Sequence, residues 1–304
     1  MNATVFITGG SGLLALNWAL VIRDRYSVTL GLHERWIALA GVQTRRINLE
    51  SVDHLVGAFE MTHTQIVIHT AGLTNVEECE VKPGLAHHIN VELAVNVAKA
   101  CAKLGLPLIH ISTDHLFSGE ASLVDETHPV APRNVYGRTK AEAEFQVLEA
   151  HAQALVIRTN FYGWGPSYRR SFSDTVIEAL RAGKELSLFE DVFYTPILVE
   201  AAAQAAHDLV DLKANGIFHV VGDERISKYE FGIKIAEEFN LDPSLITAGF
   251  LADHVSLVQR PRDMSLSNTK TRDLLGRKLG GIDEHVTRLH RQEQHGFAQE
   301  IQKL

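Results

Sequence analysis

Hydrophobic and polar positions along the first half of the chain alternate between two rhythms. Short runs rich in β-branched residues fall at 4–8 (TVFIT), 27–33 (SVTLGLH), 45–49 (RRINL), 65–71 (QIVIHTA), 107–113 (PLIHIST) and 154–160 (ALVIRTN). Between them lie helical patterns at 12–24 and 51–60, and a long one in which Ile89, Leu93, Val97, Ala100 and Leu104 recur at spacings of three and four. A further helix carries Tyr136. Apolar runs separated by helices predict an α/β protein with a doubly wound, parallel Rossmann sheet covered on both faces. After Asn160 the rhythm changes. The stretch FYGWGPSYRRSF reads as a loop, with Tyr168–Arg170 expected to be solvated and a phosphate contact as the alternative, followed by a helix at 172–182 and a strand at 216–222. Ser227 and Glu230 form a capping box that opens a helix carrying Phe231, Ile235 and Phe239. Residues 1–160 are therefore expected to form the Rossmann domain, with a segment at about 192–222 returning to it. Residues 161–191 and 223–304 are expected to form a smaller C-terminal α/β region that binds substrate.

The first strand runs into VFITGGSGLLA, which sets Gly9, Gly12 and Ala15 at the spacing of a dinucleotide-binding turn. The first glycine permits the tight turn, the second lets backbone approach a pyrophosphate, and the small third residue lets helix and strand pack closely. Amides at the helix start, around Leu13 and Leu14, then face the phosphates. The end of the second strand reads GLHERW: His33 and Arg35 suit a 2′-phosphate, whereas Glu34 suits a free 2′-hydroxyl. The reading favours NADPH, with NADH as the alternative.

In such sheets ligands sit beyond the carboxyl ends of the strands, where this chain places HTAGLT and ISTDH. Ser112, Thr113 and Asp114 thus project toward the glycine turn. Tyr136 and Lys140, four residues apart at a helix start, read in isolation either as an ordinary solvated pair or as the working end of an enzyme.

The blocks TGGSGLLA, HTAGLTNVEECE, INVELAVNVAKACAKLGLPLIHISTDHLFSG, VYGRTKAEAE and RPRDMSLSNTK resemble the extended short-chain dehydrogenase/reductases, within them the dTDP-4-dehydrorhamnose reductase branch. The resemblance implies NAD(P)H-dependent reduction of a 4-keto nucleotide sugar to a deoxy-sugar nucleotide, a precursor of cell-surface polysaccharide. It also implies a catalytic set of Thr113, Tyr136 and Lys140. Tyr136 would protonate the carbonyl oxygen as general acid, Thr113 would hold that oxygen, and Lys140 would favour release of the phenol proton and bond the nicotinamide ribose. Asn48 and Leu49 after the third strand, and Ala71 and Gly72 after the fourth, fall at cofactor positions. Thr74, Val76, Asp114, His115, Phe117 and Asn160 fall at sugar positions, and Arg260 and Arg262 suit a nucleotide diphosphate as paired forks.

The chain also departs from its relatives. His115 follows Asp114 where the dehydratases have Glu, which argues against dehydration, and Asp114 stands where the epimerase-reductases have Cys. His115 replaces the Tyr usual in the branch, Asn48 replaces an Asp, and the loop after Asn160 differs, so the sugar need not be dehydrorhamnose. A nucleotide-sugar 4-epimerase and a non-catalytic, NADP-binding regulatory subunit like that of methionine adenosyltransferase are the rival readings.

A net charge of −8 and a pI near 6.0 argue against nucleic acid or an anionic membrane as partner. A nucleotide sugar is the expected partner, with a second copy of the chain a further candidate. Cys79 and Cys101 match no metal spacing, the sixteen histidines are scattered, and no catalytic metal is expected. The N-terminus enters a strand without a signal-peptide pattern, so a cytoplasmic location is expected.

Overall fold

The computed structural model describes residues 3–254 and 257–304. At its centre lie seven strands: β1 Thr4–Thr8, β2 Ser27–Leu32, β3 Gln43–Arg46, β4 Ile66–His69, β5 Leu108–Ile111, β6 Leu155–Arg158 and β7 Gly216–His219. They form one parallel sheet in the order β7-β6-β5-β4-β1-β2-β3. Side chains alternate across it. Val5, Ile7, Ile66, Ile68, Leu155 and Ile157 enter one core, while Phe6, Val67, Leu108 and Val156 enter the other. The first core is covered by helices α1 (Leu13–Ile22) and α5 (Val199–Asp211), the second by α2 (Val52–Met61), α3 (Leu93–Leu104) and α4 (Val135–Ala150). Both faces are dry, which is why these strands read as apolar runs without polar alternation.

The strands are shorter than their sequence signals. The runs at 65–71, 107–113 and 154–160 keep β-forming residues to their ends, but pairing stops at His69, Ile111 and Arg158. The residues beyond are released from the ladder and face the crevice. At the sheet edge, β3 begins at Gln43 and ends at Arg46, earlier than the run at 45–49, because its only neighbour is β2, pairing Leu32 with Arg46. Helix α5, absent from the sequence reading, lies against α1.

The later chain adds a parallel pair of strands, Leu186–Phe189 with Ile246–Gly249. It also adds helices Phe172–Arg181, Lys228–Glu238 and Ile282–Gln294. Among the described residues no helix is long and apolar enough to cross a membrane.

Candidate active site

Strand β1 is flanked by β2 on one side and β4 on the other, so the chain reverses direction across the sheet there and opens a crevice at the carboxyl ends. A cavity of about 500 Å³ occupies that place. Its floor is the glycine turn. Gly9 has φ +70°, and a Cβ there would lie 2.7 Å from the Ala71 amide nitrogen, so only glycine lets the turn lie against the segment after β4. Gly10, which the sequence reading passed over, donates its amide to the Gly31 carbonyl at 2.9 Å and pins the turn to β2. Helix α1 starts at Leu13 without a side-chain cap and without an acidic residue in its first turn. Its leading amides, with Leu13 and Leu14 in the cavity wall, are therefore free for an anion.

The opposite wall comes from the loop after β5 and the start of α4. Asn134 caps that helix, accepting the Gly137 amide at 2.8 Å. A Cβ on Gly137 would meet the His115 carbonyl oxygen at 2.4 Å. The Tyr-Gly pair thus lets the helix start press against the β5 loop, setting the His115 and Tyr136 rings edge to face at 5.6 Å. Asn90, in a π-helical turn at His88–Glu92, joins the two walls. It accepts the Leu73 amide at 2.8 Å and donates to the Thr139 hydroxyl at 3.0 Å. π-turns concentrate at functional sites.

Thr113, Tyr136 and Lys140 line this one cavity and are all buried. Burial pushes the Tyr136 phenol up to about 12, with the neighbouring Thr113 hydroxyl pulling it part of the way back down. Lys140 Nζ donates to the Ile111 carbonyl at 2.7 Å. Burial lowers the lysine to about 8, with Glu144 pulling it back up. Two of its three N–H donors remain for a ligand. Thr113 donates to the Asp114 carboxylate at 3.2 Å and accepts the His115 amide at 3.3 Å; Asn160 donates to the other Asp114 oxygen. Ser112 Oγ, Thr159 Oγ1 and His115 Nδ1 are buried in the same wall with no partner among the described residues.

Of the remaining expected residues, Ala71, Gly72, Thr74, Val76, Asp114, His115 and Asn160 line the cavity. Phe117 does not: it packs with Leu116, Val124, Val221 and Leu266 in a small core behind the wall. His33 and Arg35 are exposed beyond β2, and Arg35 sits over the Tyr168 ring at 3.8 Å. Asn48 is exposed and accepts the Glu50 amide, while Leu49 packs under α2; neither reaches the cavity. Arg260 pairs with Glu77, and Arg262 Nε lies 3.9 Å from Asp191; with Arg133 they line a neighbouring hollow.

In the Tyr168–Arg170 run the two arginines are exposed, as expected, and Tyr168 is half-buried, but the run also reaches the cavity mouth. Tyr168 donates its hydroxyl to the Ser11 carbonyl at 2.7 Å, and Arg169 reaches across the mouth to the Thr74 hydroxyl. Its alternating aromatic and basic residues suit both surface and ligand contact, and only the fold distinguishes them.

Comparison with known proteins agrees with this arrangement. The family model described as RmlD substrate binding domain matches residues 3–295. The probable low-salt glycan biosynthesis reductase Agl14 of Haloferax volcanii is 29% identical over 288 residues, covering 93% of this chain and 96% of that protein. Methionine adenosyltransferase 2 subunit beta of Mus musculus is 29% identical over 277 residues, covering 89% and 82%. Among solved structures, dTDP-4-dehydrorhamnose reductase of Bacillus anthracis in complex with NADP superposes with a TM-score of 0.84 at 25% identity, covering 96% of this chain and 100% of that one. With the glycine turn, the Thr-Tyr-Lys set and a match over nearly its whole length, the chain belongs to the RmlD family of extended short-chain dehydrogenase/reductases.

Proposed function

We propose that the protein is an NADPH-dependent reductase of a 4-keto nucleotide sugar. The observation that carries this reading is that Thr113, Tyr136 and Lys140 share one cavity with an uncapped, glycine-floored helix start. The Gly9–Gly12 turn and the free amides of α1 fit a dinucleotide pyrophosphate, and NADPH bound there supplies the hydride. The relatives named above as reductases, and the NADP complex of the Bacillus anthracis structure, support the same choice.

Tyr136 is protonated at neutral pH as an ordinary phenol is, and burial, which raises it to about 12, holds it further in that form. As a proton donor this is no handicap, since the alkoxide that forms at the carbonyl oxygen is far more basic than a phenolate. Thr113, turning its one hydroxyl proton away from Asp114, would hold the carbonyl oxygen, and Lys140, anchored on Ile111, has donors left that would bond the nicotinamide ribose. Asp114, His115, Asn160, Thr74 and Val76 surround the sugar. From the later chain, Phe161 and Arg169–Phe172 close the cavity, and residues 223–304 would meet the nucleotide sugar from the adjoining hollow, where Arg260 and Arg262 would face its diphosphate.

The test is NADPH oxidation at 340 nm with a panel of 4-keto nucleotide sugars. Tyr136→Phe is expected to bind NADPH as the parent does and to lose at least 100-fold in kcat. Turnover unchanged in that variant removes Tyr136 from the chemistry. No turnover by the parent on any sugar, together with a stable complex with a methionine adenosyltransferase, would favour the regulatory-subunit reading that the murine relative brings forward.

A further inference from the structure

Lys228 is placed against every local preference. It is the first residue of helix Lys228–Glu238, where the helix dipole repels a cation. Ser227 and Glu230 already close the capping box at that end, so the lysine contributes nothing to the cap. Its ammonium stands 3.4 Å from the centre of the Tyr194 ring and 4.7 Å from that of Phe172. No carboxylate or carbonyl among the described residues forms a salt bridge or hydrogen bond with it. Burial pushes it down to about 8, with Asp114 pulling it up and Arg260 pulling it further down. Phe172 and Asp114 both line the active-site cavity, and His115 beside them feels the lysine's charge.

A half-buried cation that opposes its helix and has no protein acceptor for its three N–H donors costs the fold stability and leaves those donors open to water or a ligand. Violations of local rules collect where function demands them. Here the aromatic faces of Tyr194 and of Phe172, which lines the cavity, hold the ammonium at the back of the cavity wall, near enough to the buried Asp114 carboxylate to feel its charge. One group offers donors and the other acceptors, which is what a ring bearing several hydroxyls needs for recognition. We propose that Lys228 and Asp114 form the polar pair that reads the hydroxyls of the bound nucleotide sugar, Lys228 donating to a ring substituent oxygen and Asp114 accepting from a hydroxyl. This rests on the reading of the cavity as a nucleotide-sugar site. It makes Lys228, from the far C-terminal region, a specificity-determining residue.

The experiment measures the affinity that the sugar adds. dTDP-L-rhamnose, UDP-glucose and GDP-mannose are each titrated against the matching free nucleoside diphosphate by calorimetry with NADP present, in the parent and in Lys228→Met and Lys228→Gln. A hydrogen bond to a charged group is worth about tenfold or more in Kd. The parent is expected to bind at least one sugar nucleotide more tightly than its diphosphate. Lys228→Met should lose that increment by about tenfold or more, with the free diphosphate and NADPH bound as before and with thermal stability equal or higher. Lys228→Gln, which keeps a donor and tolerates the site if Met does not fold, should lose less. An increment unchanged in both variants, or a parent with no increment on any sugar, overturns the proposal. A parent that shows the increment but reduces no 4-keto sugar leaves the pair standing and overturns the reductase reading instead.

Discussion

Replacing Gly9 by alanine tests whether the crevice floor depends on two backbones touching. Gly9 has φ +70°, a region that costs an L-residue about 1–2 kcal/mol. Its Cβ would also lie 2.7 Å from the Ala71 nitrogen and 2.8 Å from the Ala71 Cα, against 3.4 Å or more in ordinary contacts. Both partners are main chain, so no rotamer change relieves the overlap. The turn and the segment after β4 must separate by several tenths of an ångström. That movement strains the bond from the Thr70 hydroxyl to the Thr8 carbonyl, now 2.7 Å, and widens the cradle that faces the pyrophosphate. Gly105, which ends α3 at φ +64°, isolates the conformational part, since a Cβ there meets nothing within 4 Å. Gly105→Ala is expected to lower stability by about 1–2 kcal/mol and to leave NADPH affinity within twofold. Gly9→Ala should lower stability by about 2–5 kcal/mol, since overpacking adds to the same dihedral cost. It should also weaken NADPH at least tenfold. Urea unfolding and NADPH fluorescence titration read the two effects. If the variants match in both, the close approach at Gly9 plays no part in holding the cofactor.

Three further variants probe what lies under the site. His69, buried in β4 with Nδ1 2.7 Å from the Thr8 hydroxyl, is pushed down to about 3 by burial and by Lys140. Its folded pKa lies below the unfolded value near 6.5, so its contribution is whole above pH 6.5 and falls by about 1.4 kcal/mol per pH unit below that, down to about 3. His69→Asn should therefore remove one proton from the slope of unfolding free energy between pH 6 and 4; an unchanged slope refutes the assignment. Arg158 and Glu144 form a buried bidentate pair, with Nη2 2.7 Å from Oε2 and Nε 2.9 Å from Oε1. Glu144→Gln, which strands the arginine, should cost about 3–5 kcal/mol in thermal unfolding, and Arg158→Met with Glu144→Leu should restore most of it. Because Glu144 also holds Lys140 up, Glu144→Gln should move the alkaline fall of kcat to lower pH.

What the sequence revealed and what it hid follow one physical division. The sheet was legible because burial on both faces turns each strand into an apolar run, and the glycine turn because its spacing is dictated by backbone contact. Thr113, Tyr136 and Lys140 were legible because each sits within a few residues of a strand end or helix start that carries its own signal. Helix α5 was hidden by its alanines: Ala201, Ala202, Ala203, Ala205 and Ala206 let it lie close on α1 but give little contrast between a buried and an exposed face. Asn90 was hidden for a different reason: it is a lone polar residue whose partner, Thr139, lies far along the chain, so no local pattern marks it. Yet Lys228 does break a local rule, a cation at a helix start already closed by a capping box, and that breach was visible in the order Ser-Lys-Tyr-Glu alone. A motif shows where the chain obeys a shared geometry. A misplaced charge shows where it gives up stability, and the one at Lys228 lies against Phe172, which lines the cavity the motifs point to.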